Sequence, residues 1–179
     1  SSGTWSLIGA KLPVADTSEK SLQSNFSNEG GVGYFRYLKN IMGMWLVNEV
    51  QRKYGTPFAE IVALAEQSTY AETFDVNDQS LMAPDDMESA IKALLAANPP
   101  QSMGDLYASI YRSLAVGYAQ AVRQMENNLG KTFDKIYIVG GGAKNKFLNT
   151  LTEQYTGKTV VALPIEATAI GNLKVQMGR

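Results

Sequence analysis

Ile136-Tyr137-Ile138-Val139-Gly140-Gly141-Gly142-Ala143-Lys144-Asn145 is the stretch on which the reading of the fold turns. Its alternating β-branched and aromatic residues predict a buried strand. Three consecutive glycines then leave no side chain between the backbone and whatever lies above the strand's end. From Ala143-Lys144-Asn145 onward the pattern is helical. A flat or anionic ligand can therefore approach main-chain N–H groups beside the positive end of a helix. A strand, a glycine turn and a helix N-terminus together predict a nucleotide site, and a tight turn with no ligand fits the same residues.

Spacing narrows the choice. A dinucleotide fingerprint needs G-x-G-x-x-G, and Asn145 stands where the third glycine after Gly140 and Gly142 should fall. A P-loop needs Gly-Lys-Ser/Thr after four intervening residues, and the chain has none. Both of the best-known phosphate motifs are excluded.

Composition narrows it further. A chain of 179 residues is about one domain long and buries a real core. Its 16 basic and 17 acidic residues leave a formal net charge of −1, with no long run of either sign. The basic footprint of a nucleic-acid or anionic-membrane partner is missing, and no apolar run approaches the ~20 residues that span a bilayer. Neither cysteine nor histidine occurs. Disulfides, thiolate metal sites, histidine-based zinc sites and histidine-dependent hydrolase triads are thereby excluded. Any metal is a hard cation on oxygen ligands, such as magnesium held partly by phosphates. A reducing cytoplasm fits the missing cysteines. The opening Ser1-Ser2-Gly3-Thr4-Trp5 already reads as part of a strand, so the chain reads as a piece of something longer.

Thr4 to Ala10 is predicted as a strand with Trp5, Leu7 and Gly9 on one face, followed by polar, turn-rich sequence to Ser24. Gly30, Gly31 and Gly33 before Tyr34, Phe35 and Tyr37 predict a hairpin or a bulged strand pair. A buried helix is expected from Asn40, its N-cap, through Val50. Thr56-Pro57 starts a short helix with Phe58, Ile61, Val62 and Ala65 inward. Asp75, Asn77 and Asp78 read as turn and capping residues, because a calcium loop's central glycine and terminal glutamate are absent. Met87, Ala90, Ile91, Leu94 and Leu95 make an amphipathic helix ended by Pro99-Pro100. Ser102 with Asp105 opens the longest helix, which Gly130 stops. After the glycine turn come a helix from about Asn145 to Tyr155, a short strand at Val160-Val161, and a last helix from Glu166 to Met177. Ala167, Ala169 and Gly171 make that last helix small enough for close packing. Strands first, helices in the middle and a closing β-α-β-α unit predict an α/β domain with a mixed sheet.

Several blocks together resemble the C-terminal half of the FGGY carbohydrate kinase family. They are Ser1-Ser2-Gly3-Thr4-Trp5-Ser6-Leu7, Asn28-Glu29-Gly30-Gly31, Leu38-Lys39-Asn40-Ile41-Met42-Gly43-Met44-Trp45-Leu46, Leu81-Met82-Ala83-Pro84, the glycine stretch itself, and Glu166-Ala167-Thr168-Ala169-Ile170-Gly171-Asn172. They follow the family's order across nearly the whole chain. The first and third blocks look most like the branch that phosphorylates L-rhamnulose.

The resemblance implies an α/β, actin-like ATPase (ribonuclease H-like) domain over residues 1–179, the nucleotide-binding half of a two-domain kinase. It implies ATP and Mg2+ as cofactors, a ketose sugar as substrate, and an N-terminal sugar-binding domain as partner. Gly3 and Thr4 would form a turn near the ATP phosphates, and Gly140, Gly141 and Gly142 would bring backbone against the adenosine. Asn145 would meet the adenine or ribose edge or cap its helix. Asn40 matches a substrate- or nucleotide-contacting position, with a plain N-cap as the other reading. Asn48 stands where the family often has a glutamine that touches nucleotide. Trp5 and Trp45 read as core anchors. The family's catalytic base is an aspartate shortly upstream of Ser-Gly-Thr-Trp, which places it before Ser1, so the isolated chain is expected to be inactive. Another FGGY kinase, or a non-catalytic actin-like nucleotide-binding domain, is the alternative.

Overall fold

The computed structural model describes residues 1–163 and 167–177. At its centre lies a helix of 27 residues, α5 (Met103–Leu129; helices here are numbered in chain order). Ser102 starts it by accepting the Asp105 N–H, and Gly130, at φ 59°, ends it in the left-handed conformation. Leu106, Tyr107, Ile110, Tyr111 and Leu114 are fully buried along it. Gly117 lets Val76 approach to 3.0 Å of the place a Cβ would occupy. A helix buried on more than one side is the axle of a fold, and the other elements pack around it.

On one flank sits an antiparallel sheet in the order β1 (Trp5–Leu12), β3 (Phe35–Met42), β2 (Ser27–Gly30). The predicted hairpin is β2–β3, closed by the Gly31 N–H on the Tyr34 carbonyl. Tyr37 ties the sheet to its surroundings. It is fully buried, stacks on Phe26 at 4.5 Å and shares hydrogen bonds with Ser21 and Asn128. A second, parallel ladder joins β4 (Lys135–Ile138) to β5 (Thr159–Ala162). The strands thus carry both pairing types, in two ladders rather than one. Ser2 spans the gap, donating to the Val139 carbonyl at 3.0 Å and accepting from the Gly142 N–H at 2.9 Å.

The remaining helices are α1 (Glu19–Gln23), α2 (Trp45–Tyr54), α3 (Phe58–Gln67), α4 (Met87–Leu94), α6 (Lys146–Thr156) and α7 (Ala167–Gln176). No helix among the described residues is long and apolar enough to cross a membrane. Glu166, expected to begin the last helix, lies outside the described residues, as do the side chains of Ala167, Ala169 and Gly171.

Three expectations are corrected. Asn40 is no helix cap: it lies in β3, opposite Leu7, and α2 begins five residues later. The strand runs on because Ile41 and Met42 bury against the core as sheet residues. Trp5 is no core anchor. It is 50% exposed, because the face of β1 that carries Trp5 and Leu7 points outward while Ser6 and Leu12 point inward. Alternation fixes that two faces exist and leaves open which one is covered. The turn-rich stretch before Ser24 also contains the short helix α1, capped by the Ser18 hydroxyl. Asp75 and Asp78 do cap local turns, accepting the N–H groups of Asn77 and Ser80 at 2.9 Å each.

One surface cluster gives the fold an acid-sensitive joint. Glu88 of α4 accepts from Lys92 at 2.7 Å, from Lys53 at 2.9 Å and from the Tyr54 hydroxyl. Lys92 foremost, then Tyr54 and Lys53, hold its carboxyl down to about 2 from an ordinary 4.5. A depressed folded-state value means stabilisation present above the ordinary carboxylate range and lost as pH falls through it toward 2. Chemical denaturation at pH 6 and pH 3 should therefore show wild type losing about 1 kcal/mol more than Glu88→Gln. Equal losses in both proteins would remove the cluster from the acid response.

Candidate functional site: a cavity between the Gly3–Thr4 turn and the glycine run

Gly3 and Thr4 form the turn into β1, and that turn is clamped by the start of α2. The Met44 N–H donates to the Gly3 carbonyl at 2.8 Å and the Trp45 N–H to the Thr4 carbonyl at 3.0 Å. The first N–H groups of α2 are orphaned by geometry, and no side chain caps them; the turn does. The close approach requires Gly43, where a Cβ would fall 2.6 Å from the Gly3 oxygen and 2.7 Å from the Thr4 oxygen.

The glycine run lies on the other side. Gly140 has φ 90°, outside the range of ordinary L-residues, and a Cβ there would fall 2.9 Å from the Ser2 carbonyl oxygen. Gly142 packs directly on Ser2. Gly141 differs: a Cβ on it would meet nothing within 4 Å. Residues Gly141–Lys144 form a short 3-10 turn, and only then does α6 begin. Asn145 caps α6, its side-chain oxygen accepting the Leu148 N–H at 3.0 Å. The Gly142 and Ala143 N–H groups are engaged by the carbonyls of Ser2 and Gly140, whereas that of Gly141 makes no backbone hydrogen bond among the described residues.

Between these two pieces lies a cavity of about 460 Å³. Gly3, Thr4, Asn48, Gly141, Gly142 and Asn145 line it, so six of the eight residues singled out in the sequence converge there. Gly140 stands just behind, holding the run against Ser2. Asn40 is not brought to the cavity; it is exposed on β3.

The sequence reading missed the walls. Phe58, Ala59 and Val62 of α3 form an apolar side, with Phe58 half exposed rather than turned into the core as expected. Met44, Tyr111 of α5 and Lys144 complete the lining. The Tyr111 hydroxyl is buried beside the Asn145 side chain, which works to lower its pKa, while burial, the larger effect, pushes it up to about 12. The signal for Lys144 was present, since a lysine two residues after three glycines stands beside the turn an anion would approach. Phe58 gave no such signal, because an aromatic at the first turn of an amphipathic helix reads as core.

An apolar side, an aromatic edge, a few convergent amide and hydroxyl groups and one cation suit a planar, heteroaromatic, anionic ligand. The cavity lining holds no carboxylate. Among the described residues no three acidic side chains come together as a metal site.

The family model for the C-terminal domain of the FGGY family of carbohydrate kinases matches residues 1–178. The chain belongs to that family. The rhamnulokinase of Oceanobacillus iheyensis is 45% identical over 99% of the chain, and that of Halalkalibacterium halodurans is 43% identical over 98%. The Bacillus subtilis rhamnulokinase is 39% identical over 99% of the chain. The chain spans only about 39% of the length of the first two relatives. Among solved structures, a xylulose kinase from Bifidobacterium adolescentis superposes with a TM-score of 0.62 over 89% of this chain and 32% of that one, at 18% identity. That likeness bears on the fold. It agrees with the α/β, actin-like ATPase class expected for an FGGY C-terminal domain.

Proposed function

We propose that this FGGY domain is the nucleotide-holding part of an ATP-dependent kinase that phosphorylates L-rhamnulose at its 1-hydroxyl. The observation that carries the reading is the convergence of the Gly3–Thr4 turn and the Gly141–Gly142 backbone on one cavity. The adenine ring lies against Phe58 and Val62, and Gly141 lets it approach the main chain. Asn48 and Asn145 offer amide groups to the base or ribose edge. Asn145 caps α6 through its oxygen and retains its side-chain N–H donors, so its two sequence readings are compatible. The phosphates run toward Thr4, whose hydroxyl donates to an oxyanion, with Lys144 as the nearest cation among the lining residues.

Magnesium would supply charge neutralisation at the phosphates when bound, and no carboxylate of this cavity's lining is placed to hold it. The lining residues position and neutralise; none is a base for the attacking hydroxyl. That base and the sugar pocket belong to the N-terminal part of a protein more than twice this length, the relatives being that long. The whole enzyme then works in the cytoplasm, with no call on nucleic acid or membrane. Sugar identity follows the relatives' names, at up to 45% identity.

A coupled assay of the full-length protein with magnesium–ATP across L-rhamnulose, L-fuculose, D-xylulose and glycerol tests this. Preference for L-rhamnulose is expected. Preference for another of these assigns the chain to a different FGGY kinase, and ATP binding without turnover on any of them makes it a non-catalytic nucleotide domain.

A further inference from the structure

Tyrosine recurs along α5 at positions 107, 111 and 118, and all three side chains are buried. A phenylalanine fills such space equally well, so a buried phenol is explained by what its hydroxyl meets. The Tyr118 hydroxyl meets Ser6 at 2.7 Å, and that of Tyr107 lies beside Thr56. The Tyr111 hydroxyl lies beside the Asn145 side chain. Of the three, only Tyr111 lines the cavity between the Gly3–Thr4 turn and the glycine run, and Asn145 lines it too.

Asn145 has one amide for two tasks. Its oxygen is turned to α6, where it accepts the Leu148 N–H at 3.0 Å as the helix cap. What it has left for a ligand is the pair of N–H donors on its nitrogen. A single hydrogen bond does not aim them, because the last torsion of an asparagine side chain is broad. Tyr111 supplies the second constraint. It is fully buried and shares the core with Leu148 and Leu151 of α6. Phe147 meets its ring edge-on, with centroids 5.6 Å apart and planes at 83°. The phenol is thus held by the same turn of α6 that Asn145 caps.

We propose that Tyr111 is a positioning residue for the nucleotide: its hydroxyl takes one N–H of the Asn145 amide and so turns the other toward the ligand. This role rests on the nucleotide reading of the cavity and gives the Asn145 contact a direction. With the Asn145 oxygen facing α6, this part of the wall offers the ligand N–H donors. The nucleotide atom that meets Asn145 is therefore an acceptor, a ring nitrogen or a ribose oxygen, and not the exocyclic amino group of adenine.

Two neutral substitutions in the full-length protein isolate the role. Tyr111→Phe removes one oxygen and keeps the ring against Phe147, so melting without nucleotide should match wild type. Asn145→Ser keeps a capping oxygen and removes the amide donors. By calorimetry, Tyr111→Phe should weaken magnesium–ATP binding about fivefold, roughly what one hydrogen bond is worth, and Asn145→Ser at least as much. Titrating each variant below its melting temperature keeps folding out of the comparison. KM for ATP should rise in step while KM for the sugar holds, a split that loosened packing would not give. The double variant decides the matter. If the hydroxyl acts through the amide, Tyr111→Phe costs nothing further in the Asn145→Ser background. Losses that multiply in the double variant, or a Tyr111→Phe protein that binds ATP as tightly as wild type, overturn the positioning role and leave the nucleotide site standing. Wild-type protein that binds no ATP removes the site itself, and the role of Tyr111 with it.

Discussion

Full-length protein carrying Gly141→Val should fold as wild type does and bind magnesium–ATP at least tenfold more weakly. The first half follows from local geometry. Gly141 has no left-handed φ to protect, and a Cβ there meets nothing within 4 Å. Substitutions at such positions move stability by roughly 0.5 kcal/mol or less. The second half follows from where that open space is. Gly141 lines the cavity, so valine's methyl groups enter the volume proposed for the adenosine. A tenfold loss corresponds to about 1.4 kcal/mol, which one steric obstruction in a preformed site readily supplies. Calorimetric titration reads the affinity, and thermal melting without nucleotide reads the fold. Gly142→Val is the informative contrast. Its side chain would land on Ser2, so stability should fall first and binding with it. A Gly141→Val protein that melts normally and binds ATP as wild type does would falsify the ligand reading of the glycine run.

The three glycines were legible as a group because their chemistry is local: a strand, a turn and a helix start follow from adjacent residues. Their separate tasks were not legible. Gly140 and Gly142 serve contact with Ser2, nearly 140 positions away in sequence, and only Gly141 is left facing the cavity. The caps show the same division. Ser102, Asn145 and Gly130 act on their own helices and were readable. The cap of α2 comes from carbonyls of a remote turn, and Asn40 drew that role in its place because asparagine before an apolar run is a good local signal. Strand faces failed for a related reason. Trp5 and Leu7 alternate correctly with Ser6, yet which set is buried depends on what lies over the sheet. Tyr137 of β4 is exposed as well. Apolar side chains on outward faces are ordinary singly and informative together. The cavity walls from α3 and α5 required tertiary structure, because Phe58 and Tyr111 are 53 residues apart in a chain with no repeat to relate them.

Gly43→Ala should destabilise the protein by about 3 kcal/mol, an unusual effect for one added methyl group, since overpacking typically costs about 1–3 kcal/mol and each lost hydrogen bond about 1. The added carbon would stand 2.6 Å from the Gly3 oxygen, 2.7 Å from the Thr4 oxygen and 2.8 Å from the Trp5 carbonyl carbon. All three are backbone atoms, so no rotamer change relieves the overlap. Either the turn lifts away from α2 or the start of α2 unwinds. Both routes break the Met44–Gly3 and Trp45–Thr4 hydrogen bonds. The turn is also the phosphate end of the proposed site, so KM for ATP should rise even at temperatures where the variant stays folded. Gly30→Ala is the matched control: a Cβ there meets nothing within 4 Å and its φ is ordinary, so stability and KM should both be near wild type. Urea denaturation measures the first effect and initial rates against ATP concentration the second. If Gly43→Ala loses stability while KM holds, the clamp supports the fold without positioning the phosphates. If it loses neither, the turn is not held by α2 at all, and the coupling between the helix start and the nucleotide site fails with it.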